Sequence, residues 1–292
     1  MTHPILSIIT INLNNSIGLQ NTLTSIQQQK CDYYEHIIID GGSNDKSKKI
    51  IKQYSIINPH LSYWISEQDN GIYNAMNKGI LQAKGEYLLF LNSGDYLEPN
   101  ILNKIKQEIT GEGIIYGDLY YISSEKKEKT LITFPDPPLN ASLVISRDFY
   151  LPHPASLIKR QLFDNELYNE HYKIISDWDF WVKCIILKNC TTKHISMPIS
   201  NFMEGGISST NQELIQAERA EALQHLFPPQ IIDSLNKLFF LEQSPLCKVI
   251  LEIKSSKRFF RRMARLIIFC HKIHKLFTLT FRKIIYFYHF IK

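Results

Sequence analysis

The chain has 292 residues, of which 44% are hydrophobic and 12% aromatic, enough for one large domain or for a domain with an appendage. Its five cysteines contain no C-x-x-C pair, which argues against a disulfide framework or a zinc knuckle and favours a reducing compartment. Because no basic stretch and apolar run precede the first predicted strand, we expect no export signal.

The net charge of +5 is unevenly distributed. Residues 248–292 carry 12 lysines and arginines and one acid, a net charge of +11, whereas the first 247 residues carry 21 basic and 27 acidic residues, a net charge of −6. The acidic body and the basic tail therefore need separate explanations.

Apolar runs alternate with helical spacings in the first part of the chain. Strands are predicted at 6–13, 36–39, 61–66, 87–91 and 114–116, and helices at 18–29, near 50–54, at 73–81 and near 99–109. This alternation predicts an α/β fold with a largely parallel sheet and right-handed crossovers.

Acidic residues mark the predicted strand ends, at Asp40, Asp69, Asp95 and Asp118. Ligands of open α/β sheets bind beyond the carboxyl ends of the strands, so these side chains should gather at one edge. The sequence has neither a G-x-x-x-x-G-K-[ST] loop nor a G-x-G-x-x-G turn. Carboxylates in place of glycine-rich loops suit a metal-assisted site for a nucleotide diphosphate.

Several segments together resemble the family 2 inverting glycosyltransferases. They are I-I-I-D-G-G-S-N-D at 37–45, S-E-Q-D-N-G-I-Y-N-A-M-N-K-G-I at 66–80, F-L-N-S-G-D at 90–95, L-P-H-P-A at 151–155, S-D-W-D-F-W at 176–181 and G-G-I-S-S at 205–209. Several motifs in the family's order weigh more than any single one. The resemblance implies a Rossmann-like glycosyltransferase-A fold, a nucleotide-diphosphate sugar donor, a divalent cation (Mg or Mn) and transfer of a hexosyl or N-acetylhexosaminyl group.

The resemblance also implies nucleotide contacts at Asp40 and Asp69. Asp40 would accept a hydrogen bond from the nucleobase, and its alternative role is that of a turn residue beside two glycines. Asp69 would lie near the nucleotide, and it could also be the N-cap of the next helix. Relatives carry an arginine that faces the nucleotide where this chain has Met76. The nearby Lys78 could supply this charge, but we expect it to be a solvated helix lysine.

Asp95 is the predicted metal ligand. Relatives often show Asp-x-Asp-Asp where this chain has Asn92, Ser93, Gly94 and Asp95, so one full carboxylate is left. Because Mg²⁺ is commonly held by one carboxylate together with substrate phosphates, we expect a weak site that the nucleotide completes. The alternative is a polar turn in which Ser93 or Asp95 caps the following element.

Asp177 is the predicted catalytic base. Ser176 and Asp179 have the spacing of a capping box, which leaves Asp177 without a structural task other than complementing the helix dipole. The resemblance aligns Asp177 with the aspartate that activates the acceptor. A sugar hydroxyl is a poor nucleophile at neutral pH, so the reaction needs a carboxylate that takes its proton.

Other positions have weaker assignments. His153 is a candidate acceptor-binding residue, although a lone histidine is more often structural. Trp178 and Trp181 are expected in the core, and Gly205 with Gly206 should belong to a loop that closes over the diphosphate.

The basic tail reads as an amphipathic helix over 257–292. Its apolar face is Phe259, Met263, Ile267, Cys270, Ile273 and Phe277, and its basic positions are Arg258, Arg262, Arg265, Lys272 and Lys275. No uncharged run reaches the ~20 residues of a membrane span, so a helix lying on an anionic membrane is expected. Packing on its own domain or in a homo-oligomer is the alternative, and the acidic body argues against nucleic acid.

The sequence thus predicts a catalytic domain at 1–227 and a helical, basic, membrane-associating region at 228–292. The predicted activity is inverting transfer to a hydroxyl of a lipid-linked glycan, for a surface polysaccharide, at the cytoplasmic face of the cell membrane. A nucleotidyltransferase is an alternative, but it should carry a glycine- and basic-rich loop after the first strand, which is absent here. A non-catalytic membrane-associated scaffold is the other, suggested by the reduced acidic motif.

Overall fold

The computed structural model describes residues 3–123, 125, 128–141, 146, 149–206, 211–245, 261–269, 272–273 and 275. The chain forms two compact units, Met1–Pro229 and Gln230–Lys292. The roles predicted for the regions 1–227 and 228–292 stay predictions.

The first unit is built on one mixed sheet. Its strands are β1 (Leu6–Asn12), β2 (Tyr34–Asp40), β3 (Leu61–Ser66), β4 (Tyr87–Phe90), β5 (Tyr96–Leu97), β6 (Ile114–Ile122), β7 (Lys129–Ile132), β8 (Ser156–Lys159) and β9 (Thr192–Met203). Its helices are α1 (Ser16–Gln27), α2 (Ser47–Ile57), α3 (Ile72–Gln82), α4 (Ile101–Lys106), α5 (Ser176–Trp181) and α6 (Gln212–Leu226). A π-helix at Val182–Leu187 continues α5, and short 3-10 turns lie at His153–Ala155 and Arg160–Phe163.

The strands run in the order β3-β2-β1-β4-β8-β6-β9-β5, with β7 paired to β6. The pairs among β1, β2, β3 and β4 are parallel, as is the pair of β6 with β9. Strand β8 is antiparallel to both β4 and β6, so β6 and β9 point the same way as the first four strands. The carboxyl ends of these six strands therefore meet at one edge of the sheet.

The predicted strands and helices of the first 110 residues are confirmed, but the prediction for β6 is wrong in extent. It continues to Ile122, so Asp118 lies inside the strand and not at its end. The register between β6 and β9 shifts on both sides of Asp118, and His194 Nε2 lies 2.9 Å from its carboxylate. A buried acid in mid-strand is tolerated here because it is hydrogen-bonded.

The core lies on both faces of the sheet, because successive strand residues point to opposite sides. Ile9 and Phe90 pack with Tyr73 and Trp181 on one face, while Ile8 packs with a separate cluster on the other. Helix α3 approaches the first face closely. A Cβ added at Gly79 would lie 2.5 Å from Cγ2 of Ile9, so a glycine is needed where this helix meets β1.

The second unit contains α7 (Pro229–Gln243) and a helix at 261–269. Much of the predicted amphipathic helix falls outside the described residues, including Arg258, Phe259, Cys270 and Phe277. Within the described part, large apolar side chains are exposed beside exposed arginines; these are Leu266, Ile267, Ile268, Phe269 and Ile273, with Arg261, Arg262 and Arg265. Among the described residues, no helix is both long enough and apolar enough to span a bilayer.

Candidate active site

Asp40 lies at the carboxyl edge, in register with Asn12 on β1 and Ser66 on β3. Its side chain is fully buried and accepts four hydrogen bonds: from Asn12 Nδ2 at 2.7 Å, from the Ser43 amide at 3.0 Å, and from the hydroxyls of Ser43 and Ser66 at 2.6 Å each. Four donors match the acceptor capacity of a carboxylate. Asp40 therefore ties three strand ends together, and a nucleobase would have to displace one of the two serine hydroxyls to reach it.

Asp69 lies next to this network, in the loop before α3. Its carboxylate pairs with Lys78 Nζ at 2.7 Å, and Lys78 also pairs with Glu67 at 2.7 Å. The expectation that Lys78 is solvated is therefore wrong. The N-cap alternative for Asp69 is wrong as well, because the N-cap of α3 is Gly71, which makes no side-chain cap. Asp69 faces the end of β2 instead, since Oδ2 lies 2.9 Å from the place of a Cβ at Gly41.

Asp95 follows the tight turn after β4, where Gly94 has a φ of +114°. Its side chain is buried, and Oδ1 accepts a hydrogen bond from the Met203 amide at 3.0 Å. Burial raises the pKa of Asp95 to about 7, although this hydrogen bond acts in the opposite direction. Strand β5 follows directly, so the alternative in which Ser93 or Asp95 caps a helix does not apply.

The residues around Asp95 fit a cation that brings its own phosphate ligands. Three residues earlier, Asn92 has a buried Oδ1 without a hydrogen-bond partner in the described structure. A carboxylate and an amide oxygen are hard ligands of the kind that Mg²⁺ and Mn²⁺ take. Over the described residues, no three His, Cys, Asp or Glu side chains gather into a metal site. Asn92 and Asp95 could thus supply part of a coordination shell, and the rest would come from a ligand.

Asp177 lies in the first turn of α5 and is partly exposed. Its Oδ1 accepts hydrogen bonds from the Trp178 amide at 2.9 Å and from the Tyr73 hydroxyl at 3.0 Å. Tyr73 lies in the first turn of α3, four residues beyond Asp69. The structure therefore brings Asp177 to the end of the helix that follows the Asp69 loop.

The predicted capping box at α5 is wrong. The helix begins at Ser176 itself, its N-cap is Ile175, and no side chain caps it. Within the part of the chain that the structure describes, the buried Ser176 Oγ has no hydrogen-bond partner, while Asp179 pairs with Lys183 at 2.8 Å. Asp179 therefore still has a structural role that Asp177 does not share. That role is an ion pair with a residue one turn along the helix, and not a capping box.

Helix α3 also holds the segment that leads to Asp177. Asn77 donates to the Tyr168 carbonyl at 2.9 Å and accepts from the Tyr168 amide at 3.0 Å, so its side chain pairs with the backbone as a strand would. Asn74 and Asn77 both donate to Glu170 at 2.9 Å. Sequence reasoning missed these contacts and the hydrogen bond of Tyr73, although a buried tyrosine hydroxyl usually finds a partner.

His153 lies in a buried turn behind Asp177. Its Nε2 is 2.8 Å from the Tyr168 hydroxyl, and its ring stacks on Phe90 with centroids 4.7 Å apart. Burial lowers the pKa of His153, and Asp177 acts in the opposite direction. His153 is 9% exposed, so little of the residue is accessible to an acceptor. Trp178 and Trp181 are in the core, as predicted.

The predicted closing loop begins where β9 ends. Glu204 donates its amide to Ile122 at 3.0 Å, and Gly205 has a φ of +111°. Ile207, Ser208 and Ser209 of the G-G-I-S-S motif lie outside the described residues.

Comparisons with known proteins agree with the resemblance noted in the sequence. A family model described as "Glycosyl transferase family 2" matches residues 7–174. A "PGL/p-HBAD biosynthesis glycosyltransferase" from Mycobacterium bovis is 31% identical over 220 residues, which are 72% of this chain and 81% of the relative.

The fold is similar to that of solved glycosyltransferase-A structures. Residues 1–349 of S. aureus TarS, in complex with UDP-GlcNAc, match with a TM-score of 0.61 and 17% identity, covering 85% of this chain and 76% of that one. In a separate comparison with a longer TarS structure, the matched region makes up 43% of that chain. The mannosyltransferase PcManGT from Pyrobaculum calidifontis, in complex with GDP-Man and Mn²⁺, matches with a TM-score of 0.56 and 13% identity, covering 92% and 81% of the two chains.

Proposed function

Since the chain belongs to glycosyl transferase family 2 and is a glycosyltransferase, we propose that it moves a hexosyl or N-acetylhexosaminyl group from a nucleotide-diphosphate sugar to a hydroxyl of a glycan, with inversion. The observation that carries the proposal is the hydrogen bond between Tyr73 and Asp177 at 3.0 Å. It links a carboxylate suited to be a base with the helix that begins beside Asp69.

The donor would bind along the carboxyl edge of β1, β2 and β4. TarS and PcManGT were solved with UDP-GlcNAc and GDP-Man, respectively. In this chain Asp40 and Asp69 are the proposed nucleotide contacts. A divalent cation held by Asp95 and Asn92 would neutralise charge on the departing diphosphate.

Asp177 is the proposed general base. Its Oδ1 is occupied by two donors, so Oδ2 is the atom that would take the proton of the acceptor hydroxyl. As that proton leaves, the acceptor oxygen forms a bond to the anomeric carbon, and the bond from that carbon to the diphosphate oxygen breaks on the opposite side. A single displacement of this kind inverts the anomeric configuration and releases a nucleoside diphosphate.

The proposed acceptor is a lipid-linked glycan of a surface polysaccharide, with His153 on the acceptor side. The name of the Mycobacterium bovis relative refers to PGL/p-HBAD biosynthesis. The described part of the tail carries exposed arginines next to exposed apolar side chains, which suits the surface of an anionic membrane at its cytoplasmic face.

A donor panel tests the proposal. The full chain is incubated with Mn²⁺ and, separately, with UDP-glucose, UDP-galactose, UDP-N-acetylglucosamine, UDP-N-acetylgalactosamine and GDP-mannose, with alkyl glycosides as acceptors. Release of UDP or GDP and a product of inverted configuration by NMR are expected with at least one donor. A product that keeps the donor's anomeric configuration would contradict inversion, and absence of turnover with every donor would contradict the proposed transfer of a hexosyl or N-acetylhexosaminyl group.

A further inference from the structure

We infer that Tyr73 is a positioning residue for the transfer reaction: its hydroxyl holds Asp177 so that Oδ2 of that carboxylate faces the acceptor. The inference rests on the proposed role of Asp177 as the base. It concerns a residue on a different element, whose contact with Asp177 bridges 104 positions of sequence.

The hydroxyl of Tyr73 has two acceptors. It lies 2.6 Å from the Ile174 carbonyl and 3.0 Å from Oδ1 of Asp177. A phenol has one proton to donate, so this proton is shared between a backbone oxygen and the carboxylate. The carboxylate is thereby tied to the backbone three residues before it, which restricts its side-chain rotation.

The environment of Tyr73 keeps this hydroxyl a donor. The residue is 5% exposed and packs in the core cluster with Ile9 and Phe90. Burial, followed by the charge of Asp177, raises the pKa of the Tyr73 phenol well above its ordinary value. The group therefore stays protonated across the range in which glycosyl transfer is measured.

A second donor to Oδ1 of Asp177 determines which carboxylate oxygen stays available for the proton of the acceptor. The Trp178 amide lies 2.9 Å from the same atom, so both hydrogen bonds of the carboxylate go to Oδ1 in the described structure. Oδ2 is left to accept a proton. Asn77 and Glu170 hold the backbone that precedes this turn, so Tyr73 acts on a segment already fixed to α3.

Tyr73→Phe tests the inference, because it removes one oxygen and keeps the ring. With the nucleotide sugar of highest turnover in the donor panel, we expect kcat to fall by about ten- to a hundredfold, since small displacements of a base cost this much. The donor KM and the affinity for the nucleoside diphosphate of that donor, with Mn²⁺, should stay within about twofold, because the hydroxyl contacts the base and not the donor. Tyr87→Phe is the matched control: it is equally buried, and its hydroxyl donates to the Glu112 carbonyl at 2.8 Å, at the other end of β4.

A double-mutant cycle separates this inference from the proposed function. If Tyr73 acts through Asp177, the variant carrying both Tyr73→Phe and Asp177→Asn should be as slow as Asp177→Asn alone. Full activity of Tyr73→Phe with an inactive Asp177→Asn, or additive losses, would overturn the inference and leave the base in place. Full activity of Asp177→Asn would overturn both.

Folding is controlled in the same series. The thermal midpoint of each variant is measured first. If a variant loses both nucleotide binding and kcat, the effect is structural and the inference is overturned. If Tyr73→Phe does not fold, 3-fluorotyrosine is incorporated at position 73 as a stronger donor of the same shape. It should change kcat and leave the donor KM unchanged. If both constants equal those of the parent protein, the inference is contradicted.

Discussion

The backbone amide of Met203 donates a hydrogen bond to Oδ1 of Asp95 at 3.0 Å. The carboxylate after β4 is therefore joined to the last residue of β9, two residues before Gly205 and the predicted closing loop. A cation bound at Asp95 would lie at the base of this loop, so its binding and the position of the loop should depend on each other.

Asp95→Asn should remove metal binding. We expect Mn²⁺ to bind the parent chain with UDP or GDP present and about tenfold more weakly without them, because the nucleotide supplies the missing ligands. Asp95→Asn should abolish the tight binding, as measured by isothermal titration calorimetry. Asp118→Asn is the control, since Asp118 is equally buried on the same sheet but pairs with His194. Equal Mn²⁺ affinity with and without nucleotide would contradict the prediction.

Asp177→Asn should stop the transfer. The amide cannot take a proton from the acceptor, so we expect kcat to fall by roughly 10²–10⁴-fold while the affinity for the nucleoside diphosphate of the donor is kept. Asp179→Asn is a matched control two residues away, and it removes an ion pair with Lys183. It should lower the thermal midpoint and retain turnover at temperatures where it is folded. The reverse pattern would assign the base to Asp179.

Asn77→Ala should destabilise the fold. The side chain pairs with the amide and carbonyl of Tyr168, and its removal leaves both backbone groups buried without partners. Each costs about 1–3 kcal/mol, so we expect a loss of about 2–6 kcal/mol in the free energy of unfolding by urea titration. Asn74→Ala loses exposed contacts with Glu170 and with the Asn70 amide, groups that water can solvate, and should cost under about 1 kcal/mol. Similar losses for the two variants would refute the strand-like role of Asn77.

His36 should make the fold sensitive to acid. Burial lowers the pKa of His36 to about 3, and its ring nitrogens lie 3.0 Å from Thr10 Oγ1 and from the Tyr54 hydroxyl. An unfolded histidine has a pKa of about 6.5, so between these values the unfolded chain binds more protons than the native one. Stability is therefore lost as the pH falls from about 6.5 towards 3, by about 2–3 kcal/mol between pH 7 and pH 4.5.

His36→Gln removes this titration. Urea unfolding at pH 7 and at pH 4.5 should show a smaller difference for the variant than for the parent chain. Because other groups titrate in both proteins, the comparison is between the two differences and not between the absolute stabilities. Parallel loss in both proteins would show that His36 does not contribute.

Charge reversal in the tail should release the protein from anionic membranes. Arg261, Arg262 and Arg265 are exposed, and each basic residue near such a surface contributes about 1 kcal/mol. We expect the full chain to float with phosphatidylglycerol vesicles and the variant with all three changed to Glu to remain in the soluble fraction. Changing Lys48, Lys49 and Lys52 to Glu, on the exposed side of α2, gives the same change in net charge and should leave flotation intact. Equal soluble fractions for the parent and the arginine variant would reject membrane attachment.

The first four strands and three helices could be predicted because each is a local pattern. Apolar runs such as Ile37–Ile39 end in polar turns, and parallel pairing then follows from the intervening helices. Strands β5, β7, β8 and β9 were not predicted. Their partners are far away in sequence, as where β8 inserts antiparallel between β4 and β6, and local periodicity does not encode such pairing.

For the site, the sequence names candidate residues but does not show how each is held. Asp40, Asp95 and Asp177 were singled out by position, but their hydrogen-bond donors come from other elements. The Ser176 and Asp179 spacing predicted a capping box, yet Lys183 is one turn away and takes Asp179 as an ion pair. Lys78 likewise has two acidic partners in the loop before its own helix, a contact that its helical position does not reveal.

Because α3 lies close to β1 at Gly79, we expect this helix to set the relative positions of the proposed donor and acceptor sites. The same helix carries Lys78, which pairs with the proposed nucleotide contact Asp69, and Tyr73, which donates a hydrogen bond to the proposed base Asp177. A side chain at position 79 would push against Ile9, so one added methyl group should shift both of these contacts at once. The relative placement of the proposed donor and acceptor sites would thus depend on a glycine at this position.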